Sequence, residues 1–334
     1  MRKFGMWFLA TGLVIGLVAG CGAPTSQNMK PKLNAQIETM TKQNYKSTAT
    51  MTVQMDNNSQ TYYVETWYES PDAYRIALGE SANQINQVIV RNGSGMFIVS
   101  PSLQKVFRFN GDWAQNQGHI YLYTQILQQL TSGDKVSVKK DHGALNFDMP
   151  VTPANDVVTK EHVELNASTL QPKQVVLYDS ENKAVVTLNF EKFETPAKFA
   201  DADFNPNKVA ESFGSKTTLA SADTQPFGYM EPSITGLGDK MADLQEVNTN
   251  DYLLRYTGNH PFVLSEFRPA PGVSGVAGAT LVDMYGIPAI YNGTEQAHQL
   301  TWVHNGVEFA LTSDKLSMDE MKQIAITTVG SVGK

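Results

Sequence analysis

Val88-Ile89-Val90-Arg91-Asn92-Gly93-Ser94-Gly95-Met96-Phe97-Ile98-Val99 is two runs of apolar, mostly β-branched residues joined at Asn-Gly, the strongest short-range sign of an antiparallel hairpin. A two-residue type I′ turn at Asn92-Gly93 pairs Arg91 with Ser94, Val90 with Gly95, Ile89 with Met96 and Val88 with Phe97. Partners across a hairpin share a face. Val88, Val90, Phe97 and Val99 therefore line one side, while Ile89, Arg91, Met96 and Ile98 line the other, which Arg91 marks as the solvent side.

Outward from this hairpin the period of two persists. Ala49, Met51, Val53 and Met55 alternate with Thr and Gln, and the runs 62–68 and 74–78 repeat the pattern around Ser70-Pro71-Asp72. Further strand-like runs lie at 85–91, 96–100, 104–109, 135–139, 144–149, 157–165, 174–179 and 184–192. Short strands at such regular spacing predict a mainly β (α+β) fold, an antiparallel meander curved into a barrel or half-barrel. Two segments switch to helical spacing: Leu33, Ile37 and Met40 over 32–43, and Ile120, Tyr123, Ile126, Leu127 and Leu130 over 119–131.

Periodicity fades after Asn205, where Ser, Ala, Thr and Pro accumulate, and we expect a linker over 208–233 between a domain at 33–207 and a small α+β domain at 234–334. In the second unit strands are expected near 252–256, 262–268, 279–285, 299–303 and 307–312. A helix follows from Ser317, whose spacing to Glu320 is that of a capping box. A turn at Asn305-Gly306 brings Leu300, Trp302, Phe309 and Leu311 together as that unit's core. No internal repeat is visible.

The head of the chain has a different character. Arg2 and Lys3 precede seventeen uncharged residues, Phe4 to Gly20, and then comes the only cysteine of the 334 residues, in Val18-Ala19-Gly20-Cys21. A basic start, an apolar run and small residues before a cut site describe a secretory signal over 1–20. The last four residues resemble the bacterial lipobox, in which the cysteine receives a diacylglycerol and becomes the new N-terminus. On this reading Cys21 is the lipidation site, 21–32 is a tether, and two acyl chains hold the protein stably on the outer side of the membrane. Seventeen uncharged residues also just suffice to cross hydrocarbon ~30 Å thick. An uncleaved anchor is thus the alternative, disfavoured by the polar stretch Gly22 to Lys32 that follows at once.

Beyond the head the chain carries 24 basic and 33 acidic residues, a net charge of −9, with no basic block. That balance argues against a nucleic-acid partner, whose binding comes from Lys and Arg neutralising phosphates. One cysteine excludes an intramolecular disulfide and a cysteine zinc cage. Neither Gly-x-Ser-x-Gly, nor a phosphate-binding glycine loop, nor His-Glu-x-x-His occurs. The six histidines are scattered; His162 and Glu164 share a strand face, an arrangement more often a solvated cross-strand pair than a metal site. Asp201, Asp203, Asp319 and Glu320 sit where carboxylates cap turns and helices. We expect no enzyme, no cofactor and no metal.

Several of these segments also resemble a family. Trp67-Tyr68-Glu69-Ser70-Pro71-Asp72-Ala73-Tyr74-Arg75-Ile76, then Val88 to Gly93, then Met96 to Val106 with its Pro101, resemble the LolA and LolB lipoprotein carrier superfamily. There a strand ends at a proline, resumes with an aromatic and an arginine, and leads to an Asn/Asp-Gly hairpin. Asn44 to Ala49 and Ala202-Asp203-Phe204-Asn205-Pro206 are similar to the family's first strand and terminal Phe-x-x-Pro. Tyr285-Gly286-Ile287-Pro288-Ala289, Leu300-Thr301-Trp302, Gly306 to Leu311 and Leu316 to Met321 resemble the small C-terminal module of the YdcC-like sporulation lipoproteins of Gram-positive bacteria.

The resemblance implies a half-barrel with a helical lid across a concave apolar face that takes a lipid or a lipoprotein acyl chain. The candidate lining is Met51, Val53, Met55, Tyr74, Ile76, Leu78, Val88, Val90, Phe97 and Val99, with Ile126, Leu127 and Leu130 as cover. In the soluble carriers an arginine directly before the proline bonds to the lid; here that position is Ser70. The tether at Cys21 and the missing arginine both favour a fixed receptor over a shuttle. The alternative is a non-enzymatic sensor or partner protein that regulates another envelope protein.

Overall fold

The computed structural model describes residues 24–55, 58–109, 113, 119–133, 135–151, 158–214, 227–233, 238–276, 278–294 and 296–329. The head 1–23, with Cys21, lies outside the described residues.

Helix α1 (Ser26–Met40) precedes a run of strands: β1 (Tyr45–Met55), β2 (Asn58–Glu69), β3 (Ala73–Ser81), β4 (Gln84–Asn92), β5 (Gly95–Ser100) and β6 (Lys105–Phe109). A 3-10 turn (His119–Tyr121) and α2 (Tyr123–Ser132) interrupt. Then come β7 (Ser137–Asp141), β8 (Ala144–Pro150), β9 (Lys160–Asn166), β10 (Pro172–Tyr178), β11 (Ala184–Glu194) and α3 (Pro206–Gly214). The remainder is β12 (Lys240–Asn248), β13 (Asp251–Thr257), β14 (Phe262–Phe267), β15 (Gly272–Val276), β16 (Thr280–Met284), β17 (Ile287–Gly293), β18 (His298–His304), β19 (Val307–Ser313) and α4 (Met318–Val329).

Two sheets result. In the larger, β1 is central because it pairs on both sides, Met51 facing Tyr62 of β2 and Leu188 of β11. The order is β15-β6-β5-β4-β3-β2-β1-β11-β10-β9-β8-β7, antiparallel except that β15 lies parallel against β6. The smaller runs β12-β13-β14-β19-β18-β17-β16.

The larger sheet buries both faces, by different means. On its inner face Met51, Val53, Ile76, Ile89 and Ile98 pack with Ile126, Leu127 and Leu130 of α2 and Leu33 of α1. On its outer face Val88, Val90, Phe97 and Val99 pack against Phe204 and Val209. There the Arg75 guanidinium lies 4.4 Å over the Trp67 ring and 5.0 Å over Phe213.

Three expectations change. The hairpin closes on Asn92 paired with Gly95, so that Arg91 faces Met96, Val90 faces Phe97, Ile89 faces Ile98 and Val88 faces Val99. The loop is Gly93-Ser94, set by an Asx turn in which Asn92 Oδ1 accepts the Ser94 N–H at 2.8 Å. This slip of two residues keeps the four valine-side residues together, since only an odd slip exchanges faces. Their side of the sheet is nevertheless the opposite one: Ile76 pairs with Ile89, so the Ile89 set faces inward and Val88, Val90, Phe97 and Val99 face outward. Second, the supposed linker carries α3, whose Val209 and Phe213 at i,i+4 cover that outer face. Third, α1 begins at Ser26, capped by Thr25 Oγ1 accepting the Asn28 N–H at 3.3 Å, so the stretch taken as tether is mostly helix.

The second sheet follows its turn chemistry. Asn305 and Gly306 take φ of +48° and +77°, the left-handed pair a type I′ turn needs. Trp302 stacks on its partner Phe309 at 5.2 Å, and Leu300 faces Leu311. Ser317 and Glu320 make the capping box, with 2.8 Å from Ser317 N–H to Glu320 Oε2 and 3.3 Å for the reciprocal bond. The strand expected at 279–285 is β16, and it ends in a turn at Tyr285-Gly286, φ +51° and +88°, from which the chain returns as β17, a strand not expected from the sequence.

That turn is one place where the two sheets meet. A Cβ on Gly286 would lie 2.6 Å from Met51 Sδ and 3.5 Å from Val186 Cγ1, so the tip of the β16–β17 hairpin is seated on the middle of the larger sheet's inner face. Tyr121 Oη donates to the Gly286 carbonyl, and Asp283 Oδ1 accepts the Gly286 N–H at 2.5 Å. Met284 and Tyr285 beside it are buried.

Glycine is required here by conformation and by space at once. Gly286→Ala should cost roughly 1–3 kcal/mol, read as a lower urea midpoint at unchanged slope, and should cost less in a Met51→Ala background. Equal losses in both backgrounds would show that the tip does not press on Met51.

A second expectation concerns pH. Glu266, wholly buried on β14, is pushed up to about 8 by desolvation, although the Met230 N–H at 2.8 Å from Oε2 opposes this. Burial likewise raises Glu308 to about 7, against the pull of Lys105. Both carboxyls hold in the folded state a proton that the unfolded chain releases near 4.5, so stability is lost progressively as pH rises above about 4.5, and the loss ends only when the folded groups titrate near 7 and near 8. Burial lowers His304 to about 4, a group that removes stability only as pH falls below 6.5. Thermal melts should therefore drop between pH 6.5 and 8.5, and Glu266→Gln should flatten most of that slope.

Candidate functional site

The inner face is assembled around aromatic side chains that tie the helices to the strands. Tyr45 stacks on Tyr68 at 5.0 Å and on Phe193 at 5.3 Å, and its hydroxyl accepts the Tyr123 N–H at 3.0 Å. That bond satisfies one of the donors left open at the start of α2. Tyr123 in turn sits edge-on to Phe193 at 5.0 Å and donates to the Leu170 carbonyl at 2.5 Å. Desolvation raises Tyr45, Tyr121 and Tyr123 well above the usual phenol range, so all three stay neutral donors.

Ser70 does more than mark a missing arginine. Its hydroxyl donates to the Thr41 carbonyl at 2.7 Å, and its N–H donates to Asn44 Oδ1 at 3.0 Å. The end of α1 is thus pinned to the β2–β3 turn by a short side chain where the carriers use a long one.

Of the candidate lining residues, Met51, Val53, Tyr74, Ile76 and Leu78 lie on the inner face, with Ile126, Leu127 and Leu130 packed over them. Met51, Val53, Ile76, Ile126 and Leu127 expose nothing. Val88, Val90, Phe97 and Val99 belong to the outer face under α3. Met55 ends β1, and its side chain lies outside the described residues. Tyr62, Ile89, Met96, Ile98, Val163 and Leu188 complete the inner face. Registering β3 on β4 before assigning faces would have found Ile89 and its companions. Nothing in the local sequence marks Tyr121 and Gly286, which meet across the two halves of the chain.

The inner face is closed by the chain's own parts: α1, α2 and the Gly286 tip. The buried Tyr62 hydroxyl within it has no hydrogen-bond partner among the described residues. Desolvation holds that phenol in its neutral, donating form.

Two clefts lie elsewhere. One, of about 390 Å³, opens where β6 and β15 meet the outer side of the second sheet, with Phe107 and Ile290 as apolar walls and Lys105, Arg268 and Glu308 converging on it. Sequence reading did not foresee it, because Lys105 and Glu308 come together only through β15 crossing to the edge of the larger sheet. The other, of about 590 Å³, runs between α1 and the β7–β8 end.

Potential catalytic groups are paired off singly. His162 Nδ1 meets Asp148 Oδ1 at 3.0 Å across β8 and β9, and Glu164 pairs with Lys173. Asp203 Oδ2 accepts the Ala200 N–H at 2.9 Å, a capping contact. Among the described residues no three His, Cys, Asp or Glu side chains gather as a metal ion would require. Nor is any helix among them long and apolar enough to cross a membrane.

Three comparisons bear on these features. The chain is 27% identical to the sporulation protein YdcC of Bacillus subtilis (strain 168) over a 342-residue alignment that spans 100% of this chain and 99% of the relative. Among solved structures, a chain of the Pseudomonas aeruginosa MucA/MucB complex is 13% identical, with a TM-score of 0.34 over 91% of this chain and 99% of its own. A LolA superfamily protein from Nitrosomonas europaea is 12% identical, with a TM-score of 0.31 over 55% of this chain and 98% of its own. The description "Sporulation protein YdcC-like" matches residues 2–204, from the apolar head past the end of β11, and the chain belongs to that family.

Proposed function

We propose that this protein is an extracytoplasmic envelope lipoprotein, held by an acylated Cys21, that works by binding rather than catalysis and takes an acyl-bearing ligand on the inner face of its larger sheet. Its place is in spore or cell-envelope assembly, by analogy with the sporulation protein it resembles. The observation that carries the reading is the Gly286 turn seated on Met51. The centre of an apolar face is occupied by a backbone turn from another sheet, and a ligand chain can take that place by exchanging one apolar cover for another.

Magnitudes permit this. Each buried methylene contributes about 0.8 kcal/mol, so an acyl chain of about ten carbons gains roughly 8 kcal/mol gross, near micromolar strength. Withdrawal of the tip subtracts from that sum, because a closed form lowers apparent affinity by the fraction that is open. The unpartnered Tyr62 hydroxyl supplies a donor for an ester or amide carbonyl at the head of such a chain.

A second reading, a module that grips another envelope protein, rests on β12. Every residue of this edge strand from Lys240 to Asn248 is exposed, including Met241 and Leu244, and Val247 is 60% exposed. Such an edge offers its free backbone groups to an added strand.

Two measurements separate the readings. Organic extraction of the purified mature protein followed by mass spectrometry should release an acyl lipid, and Gly286→Ala, by weakening the closed form, should take up a fluorescent fatty acid roughly tenfold more tightly. No extracted lipid together with unchanged uptake would end the acyl-ligand reading. Met241→Glu with Val247→Glu should leave uptake unchanged and abolish recovery of a stoichiometric protein partner; a partner retained by this variant would remove β12 from the interface.

A further inference from the structure

The cleft between α1 and the β7–β8 end has a composition unlike the rest of this acidic protein. Lys32 of α1 and Lys140 of β7 flank it from separate elements, and no carboxylate is among its lining residues. Neither lysine enters an ion pair among the described residues, whereas Lys42 is held by Glu38 at 2.7 Å. Met29 and Leu145 form an apolar floor, and the Asn28 amide adds a donor at the same wall. Lys30 lies two residues before Lys32, and Lys139 directly before Lys140.

The position of the cleft follows from chain length. Because α1 begins at Ser26, the part of the tether between Cys21 and Pro24 is three residues, and Pro24 itself lines the cleft. Fully extended, three residues span at most about 10 Å. The headgroup layer is several ångströms deep, the difference between a ~30 Å hydrocarbon core and a ~40–45 Å bilayer halved over two faces. The Debye length is about 8 Å at physiological salt. An anchor at Cys21 therefore keeps the Pro24 end of this cleft close to the lipid phosphates.

We propose that this cleft is a docking site for the headgroup of an anionic phospholipid, with its phosphate between Lys32 and Lys140 and its glycerol over Met29 and Leu145. This rests on the reading of Cys21 as the anchor and adds an orientation to it. The α1 end of the half-barrel lies on the membrane, and charge, not the tether alone, fixes which side faces down.

The test uses the acylated protein reconstituted into vesicles of phosphatidylcholine alone or with 30 mol% phosphatidylglycerol, with an amine-reactive label and peptide mass spectrometry. Labelling of Lys32 and Lys140 should fall roughly fivefold in the anionic vesicles, as about 1 kcal/mol per lysine implies. Lys183 and Lys315, whose side chains are 73% and 59% exposed elsewhere, should label equally in both. Equal labelling of Lys32 and Lys140 in the two compositions, with Cys21 acylated, would overturn the cleft while leaving the anchor intact. An unmodified Cys21 peptide in the same digest would remove the anchor and the proposal with it. Protection by inorganic phosphate in detergent as strong as in anionic vesicles would identify a free-phosphate site and overturn the membrane contact. In Lys32→Gln with Lys140→Gln, vesicle composition should no longer alter the labelling of Lys30 and Lys139.

Discussion

Met51 is flanked on both sides by paired strands, so the face its side chain points into cannot be left to water, and everything above that face is arranged to cover it. A curved sheet of this width offers more apolar surface than two short helices span. The remainder is closed by a turn from the other end of the chain, where only a residue without a side chain fits under φ +88° and against a sulfur atom. The relation of the two sheets, the burial of Tyr121 and the absence of exposure at Met51, Val53 and Ile76 all follow from that seating. The contact is apolar at its centre and polar at its rim, where Tyr121 and Asp283 hold the turn's backbone groups. It is thus fixed in position by hydrogen bonds to the turn's own backbone.

The second sheet is built on a different balance. Glu266 and His304 lie inside it as neutral groups, each held so by burial. Buried neutral acids and bases stabilise only within a window of pH. The inner face of the larger sheet holds a fully buried carboxylate of its own, Glu161, on the side of β9 that Val163 and Leu165 also occupy.

Much of this was legible in the sequence, and the failures have common causes. Strand periodicity located β1 to β11, and the Asn305-Gly306 turn placed Trp302 on Phe309 because turn chemistry and alternation act locally. Assigning a face needed one more fact, the register of β3 on β4. Arg91 misled as a marker of solvent because it stands at the rim, beside the end of its strand, where a long side chain reaches water from either face. Helix α3 was hidden in a stretch of small polar residues, its two apolar anchors too few to stand out. The occupation of the inner face by Gly286 joins residues far apart in sequence, and no local pattern encodes such a meeting. For the same reason the faces divide: Met51, Val53, Tyr74, Ile76 and Leu78, on strands read correctly, lie on the inner face, while Val88, Val90, Phe97 and Val99, placed with them by the inverted assignment, lie on the outer one.

Strand β15 has a consequence for how the molecule is made. It completes the larger sheet by pairing Gly272 with Lys105, parallel and late in the chain, so the edge of β6 stays open until residues beyond 272 arrive. Long-range parallel pairing is slow to form, and an uncovered edge invites mispairing while it waits. A chain that emerges N-terminus first would hold that edge exposed through most of its synthesis. The last third of the sequence is then what releases the first two thirds from the hazards of folding beside its neighbours.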